Sequence, residues 1–228
     1  MSSAGKVLFV FTSADTNKIG GPTGWYLPEA AHPYYTLAPH FDIDFAAPKG
    51  PNPPLDQNSV ASFAKDPQSV QFLADETVKS KLATAKTLTE VNADDYLAVF
   101  YPGGHGPVID LAFDENNTKL LNAFYRSDKI VSAVCHGTAA LVQGTGADGK
   151  PLVAGKEVSG FTNDEEETAG LVNTVPFLLE TKVKELGAIF VKAENFQPKI
   201  AVSGKLITGQ NPASAAPLGE ALLKALKA

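Results

Sequence analysis

Short unbroken apolar runs alternate along the chain with longer stretches of helical spacing, the pattern that a parallel sheet covered by helices imposes on a sequence. Lys6-Val7-Leu8-Phe9-Val10-Phe11-Thr12 predicts a first central strand running into a loop at Ser13-Ala14-Asp15. After a Gly/Pro loop, residues 25–37 read as a helix that tolerates Pro28 in its first turn. Phe41-Asp42-Ile43-Asp44-Phe45-Ala46-Ala47 alternates and predicts an edge or near-edge strand. From about residue 48 to 90 the chain is Pro-rich and then charged with helical spacing, which predicts an insertion of surface helices. Leu97 to Tyr101 and Val131 to Val134 are further buried strands, joined by an amphipathic helix over 116–126 that buries Leu120, Leu121 and Phe124. Beyond them come a short strand at 157–162, a helix starting at Asn163 as N-cap, a helix over 175–186, a strand at 189–191, a hairpin about Ser203-Gly204-Lys205 and a closing helix over 213–226. The whole predicts an α/β fold of one domain, residues 1–228, with a mostly parallel central sheet and helices on both faces.

The run that ends at Val134 breaks at Cys135, the only cysteine, and continues as the small residues Gly137-Thr138-Ala139-Ala140. A strand-to-helix turn of this kind is a nucleophile elbow, which lifts one side chain above the carboxyl end of a sheet and aims backbone amides at it. A lone cysteine is more often an inert core residue. His136 beside it and the Gly-rich loop Pro102-Gly103-Gly104-His105-Gly106 favour a nucleophile, and they predict a thiol more acidic than usual. Glu29 is the odd residue of the first helix, acidic among apolar neighbours on the side where loops from the carboxyl strand ends converge. The acids from Asp164 to Glu167 read as a solvated helix start from which one member could turn inward.

Composition narrows the chemistry by exclusion. One cysteine forbids an intrachain disulfide, and four histidines with no metal-ligand spacing leave no recognisable zinc site, so no metal is expected. All four histidines lie at or before position 136, so a papain-like protease, an α/β-hydrolase or a class I glutaminase, each needing a base histidine well downstream of its nucleophile, cannot be built. The base is left as His136, His105 or a carboxylate. Nineteen basic against 25 acidic residues, with no basic cluster, make nucleic acid an unsuitable partner. The start, Met1 to Lys6, runs straight into a strand, so neither signal peptide nor membrane span is expected and cytoplasmic residence is.

With Ala133-Val134-Cys135-His136-Gly137, Pro102-Gly103-Gly104-His105-Gly106, Glu29-Ala30-x-His32-Pro33, Gly160-Phe161-Thr162 and Thr208-Gly209-Gln210-Asn211-Pro212 together, the chain resembles the DJ-one/PfpI superfamily, and within it the branch of HchA-like chaperones and glyoxalase III. The resemblance implies a flavodoxin-like fold, Cys135 as nucleophile, His136 as its partner, Glu29 as the acid beside the thiol, and Glu166 as the third acid among Glu165, Glu166 and Glu167. Gly104, His105, Trp25 and Phe161 are expected to form the oxyanion and substrate pocket. The implied activity is cofactor-free conversion of a small reactive aldehyde, methylglyoxal or glyoxal, by a homodimer, with hydrolase or deglycase side activity. A stress-inducible holdase chaperone and a cysteine redox sensor are the alternatives within the same family.

Overall fold

The computed structural model describes residues 5–228. Its strands are β1 (Lys6–Val10), β2 (Asp42–Ala47), β3 (Lys86–Thr87), β4 (Ala98–Tyr101), β5 (Ile130–Val134), β6 (Glu157–Val158), β7 (Ile189–Phe190), β8 (Ile200–Ser203) and β9 (Leu206–Gly209). Its helices are α1 (Leu27–Leu37), α2 (Gln57–Ser62), α3 (Pro67–Ala74), α4 (Glu76–Ala83), α5 (Gly106–Ile109), α6 (Glu115–Arg126), α7 (Asn163–Thr168), α8 (Leu179–Glu185) and α9 (Ala215–Leu226). Seven strands form one sheet in the order β3-β2-β1-β4-β5-β9-β8, parallel throughout except for the β8–β9 hairpin at one edge, while β6 and β7 pair separately. The predicted α/β class with a mostly parallel sheet is therefore observed. Among the described residues no helix is long and apolar enough to cross a membrane.

The unbroken apolar runs reflect burial on both faces. Along β1, Val7, Phe9 and then Phe11 join the core under α1, α3 and α9, whereas Leu8 and Val10 join the core under α6. Both sets are wholly inaccessible, as the alternation of side chains across a central strand requires. Acidic side chains set many helix starts: Asp56, Asp66, Asp75 and Asp114 accept hydrogen bonds from the first amides of α2, α3, α4 and α6.

Three expectations need correction. The segment at residues 57–83 forms three short helices, α2 to α4, and it does not merely cover the surface, because Phe72 and Val78 are core residues and Phe72 packs edge-on against Trp25. Burying Phe72 is worth roughly 2–3 kcal/mol, which helps hold helices too short to persist alone. The first helix starts at Leu27, not at residue 25, because Pro28 fits only the first turn and Tyr26 remains extended as N-cap. Thr162, not Asn163, caps α7, in a reciprocal capping box with Glu165.

Candidate active site

Three loops at the carboxyl ends of β1, β4 and β5 converge, and the α7 segment closes them from the side. Cys135 follows β5 directly with φ +56°, a left-handed conformation that a non-glycine residue holds only under strain, and the chain then continues as a tight 3-10 turn over Cys135–Leu141. A regular helix does not follow the elbow, contrary to the sequence reading. The β4 loop presses against it so closely that a Cβ on Gly103 would stand 2.4 Å from Glu29 Oε2 and 2.9 Å from Cys135 Cβ. Gly104, with φ +90°, passes equally close to the backbone at Gly24. These two glycines admit the approach of three chain segments around the sulfur.

Cys135, His136 and Glu166 form a connected line. His136 Nδ1 lies 3.5 Å from Cys135 Sγ, and its Nε2 donates to Glu166 Oε2 at 2.6 Å. That donation fixes the tautomer and leaves the Nδ1 lone pair facing the thiol. His105 Nε2 donates to the other oxygen, Oε1, at 2.7 Å, and its ring lies 4.1 Å from that of His136, with the Phe161 ring 4.6 Å from His136 and 6.2 Å from His105. Burial opposes ionisation of Glu166, but the charge of His136 and the hydrogen bonds from both histidines outweigh it and hold the carboxyl well below its ordinary range. Burial first, and then His105, depress the pKa of His136, so its neutral imidazole is favoured. His105, His136 and Glu166 are also close enough, with ligand atoms within 4.8 Å of one another, to hold a metal ion. A cation there would have to displace both hydrogen bonds to the carboxylate.

Glu29 sits on the other side of the sulfur. It is fully buried, Oε2 accepts from the Gly103 amide at 2.8 Å, and Oε1 has no protein partner. Burial pushes its pKa up to about 8, against the hydrogen bonds to Cys135 and Gly103. The acidic thiol expected from the sequence is not what the fold produces. Burial and the facing Glu29 charge push Cys135 well above the ordinary thiol range, against the hydrogen bond from the backbone N–H of His136. At neutral pH the favoured resting pair is a thiol beside a protonated carboxyl.

Cys135 opens into a cavity of about 220 Å³ that Glu29, Gly104, His105, His136 and Phe161 also line. Trp25 does not reach it: the indole is in the core and its Nε1 donates to the Pro53 carbonyl at 3.1 Å. Neighbouring side chains of an extended segment point to opposite sides, so Tyr26 lines the cavity instead. The sequence reading also missed Asp56, Leu171, Phe196 and Pro212 in its walls. These four come from loops or loop-to-helix junctions without periodicity, so no local signal marks them.

The three adjacent glutamates of α7 divide their work. Glu166 faces the histidines and Glu167 is exposed. Glu165 is buried and binds the loops: Oε1 accepts from Phe196 N, Gln210 Nε2 and Asn211 Nδ2, and Oε2 accepts from Thr162 N. Removing the acceptor orphans four donors, so Glu165→Ala is expected to cost about 3 kcal/mol or more of unfolding free energy in urea titrations. A loss below about 1 kcal/mol would show that the loops hold themselves.

Residues 41–225 match the DJ-1/PfpI family. The chain is 32% identical to the glutathione-independent glyoxalase HSP31 of Saccharomyces cerevisiae, over 97% of this chain and 98% of that one. Among solved structures, the Rapid Encystment Protein 24 kDa of Francisella tularensis superposes with a TM-score of 0.92 at 35% identity, covering 97% of this chain and 99% of that one. Glyoxalase III of Candida albicans superposes with a TM-score of 0.87 at 25% identity, covering 97% of each chain.

Proposed function

The chain belongs to the DJ-1/PfpI family, and on that premise we propose that it is a glutathione-independent glyoxalase that converts methylglyoxal and water to lactate. The observation that carries this reading is the pairing of a neutral thiol with a base on one side, His136, and a proton-bearing carboxyl on the other, Glu29. An internal redox reaction between adjacent carbons needs both, and no external electron acceptor.

The geometry supports the following steps. His136 Nδ1 takes the thiol proton as Cys135 Sγ adds to the aldehyde carbon, and Glu29 gives its proton to the new alkoxide. The result is a neutral hemithioacetal, a Glu29 carboxylate and an imidazolium paired with Glu166. Amides of Gly104 and His136 stabilise the oxygen while it carries charge. Glu29 then removes the hydrogen from the former aldehyde carbon, and the imidazolium protonates the neighbouring ketone oxygen to give an enediol. Glu29 returns its proton to the former ketone carbon while His136 accepts the hydroxyl proton of the other, which leaves a thioester of lactate on Cys135. Water, deprotonated by Glu29, cleaves the thioester, and the imidazolium returns the proton to sulfur.

The test is incubation of the purified protein with methylglyoxal in the absence of glutathione, with lactate resolved by chiral chromatography. Lactate formed in proportion to enzyme supports the proposal, and none above the buffer rate sinks it. The reading extends to a homodimer in the cytoplasm. Light scattering at micromolar concentration is expected to give twice the chain mass, and a mass of 24.0 kDa would exclude the dimer. A redox sensor is disfavoured, because the thiolate it needs is what burial and Glu29 oppose.

A further inference from the structure

The lining of the cavity over Cys135 is of two kinds. Phe161, Leu171, Phe196 and Pro212 contribute apolar surface, and Tyr26, Asp56 and Asn58 contribute polar groups. Among the described residues that line it there is no lysine or arginine, while Glu29 and Asp56 both contribute carboxyls and Glu166 stands behind the two histidines. Asp56 is held in place: its Oδ1 accepts from Asn58 N at 2.8 Å to start α2, and its own amide donates to the Trp25 carbonyl at 3.0 Å. Its charge reaches into the site: burial is the main reason that the pKa values of Glu29 and Tyr26 are raised, and Asp56 adds a smaller push in the same direction. A second sign that the space is built for a ligand is Glu29, which lines the cavity and whose Oε1 is buried without a hydrogen-bond partner.

The geometry points to Asp56 as a specificity-determining residue, an electrostatic filter that admits neutral 2-oxoaldehydes with short apolar tails, turns away aldehydes bearing carboxylate or phosphate, and expels the carboxylate product. This rests on the glyoxalase reading for the identity of substrate and product. Each turnover converts a neutral molecule into lactic acid, which gives its carboxyl proton to water and becomes an anion inside a cleft whose only formal side-chain charges are negative or are imidazolium already paired with Glu166. No group on the walls offers that anion a salt bridge, so it leaves down its own potential gradient. An anionic aldehyde meets the same potential on the way in.

Alkylation of Cys135 by two reagents of nearly equal shape, neutral iodoacetamide and anionic iodoacetate, tests the filter without needing turnover. The ratio of the two rates cancels the general reactivity of the thiol. In the unmodified chain, the iodoacetate to iodoacetamide ratio is expected to be roughly 10-fold below that of a free thiol in the same buffer. Asp56→Asn, which can still cap α2, should raise the ratio roughly 3- to 5-fold, and Asn58→Asp, an acid welcome in a first helical turn, should lower it. About 0.5 M salt should narrow all these differences. A ratio equal to that of the free thiol would overturn the filter, and equal ratios for the three proteins would overturn the assignment to Asp56. A protein that shows these ratios but makes no lactate would sink the glyoxalase reading and leave the filter standing.

Discussion

Glu29→Gln is expected to cut lactate formation by roughly 10²-fold or more, the usual scale for losing a general acid and base, while Cys135 remains open to alkylation. In the steps above Glu29 carries a proton to or from substrate at every stage, whereas an amide of the same shape can accept the Gly103 amide bond but cannot carry that proton. The variant should also be more stable than the parent, in a manner that depends on pH. The folded chain keeps the Glu29 proton up to about 8, while the ordinary value is 4.5. Between those values the folded state binds more protons than the unfolded one, so stability falls as pH rises through that window and the loss is complete above the folded value. Without an ionisable group at this position the penalty disappears, and the gap in Tm between variant and parent should widen from pH 4.5 to about 8 and then level off. Turnover within a few-fold of the parent would move the proton to His136. A gap in Tm that does not change with pH would mean that Glu29 is not held protonated by the fold.

The second large effect is expected from Glu166→Gln. The carboxylate accepts from His136 with one oxygen and from His105 with the other. An amide has one acceptor oxygen and one donor nitrogen, so it can satisfy only one of the two histidines in their present tautomers. The other must turn its lone pair toward the amide. If that is His136, its remaining proton moves to Nδ1, facing Cys135 Sγ, where it can no longer take the thiol proton. Lactate formation is expected to fall by roughly 10²- to 10⁴-fold with the fold intact. His105→Asn in the same background removes the competition for the amide oxygen and should recover part of the loss. A Glu166→Gln enzyme within a few-fold of the parent would show that His136 does not need its tautomer fixed.

These two carboxyls illustrate how far a linear reading reaches. The central strands were legible because a central parallel strand is buried on both faces, and only runs as apolar as Val7 to Phe11, or Val131 to Val134 with its one small hydroxyl at Ser132, fit there. The elbow was legible for a related reason: small residues must follow Cys135 where the chain turns sharply against the β4 loop, so the break in the pattern marks the place. The start of the first helix was legible to within two residues from Pro28, since a proline is best tolerated in a first turn.

What the chain order could not express is distance between segments and the dielectric around a side chain. In isolation the elbow and His136 argue for an acidic thiol, but Cys135 acquires the opposite shift because folding buries it and sets Glu29, 106 positions earlier in the chain, against it. Trp25 and Tyr26 are equally aromatic on paper, and the half-turn between them in an extended segment sends one to the core and the other to the cavity. Among three glutamates in a row, only the docking of α7 against the histidine pair on one side and the loops carrying Phe196 and Asn211 on the other separates Glu166 from Glu165. The sequence by itself determined the central strands, the break in the pattern at Cys135 and the residue types that gather near it, because those depend on local pattern and burial. The tertiary structure decided which groups carry protons and which way they point, because electrostatic energies depend on contacts between segments far apart in the chain.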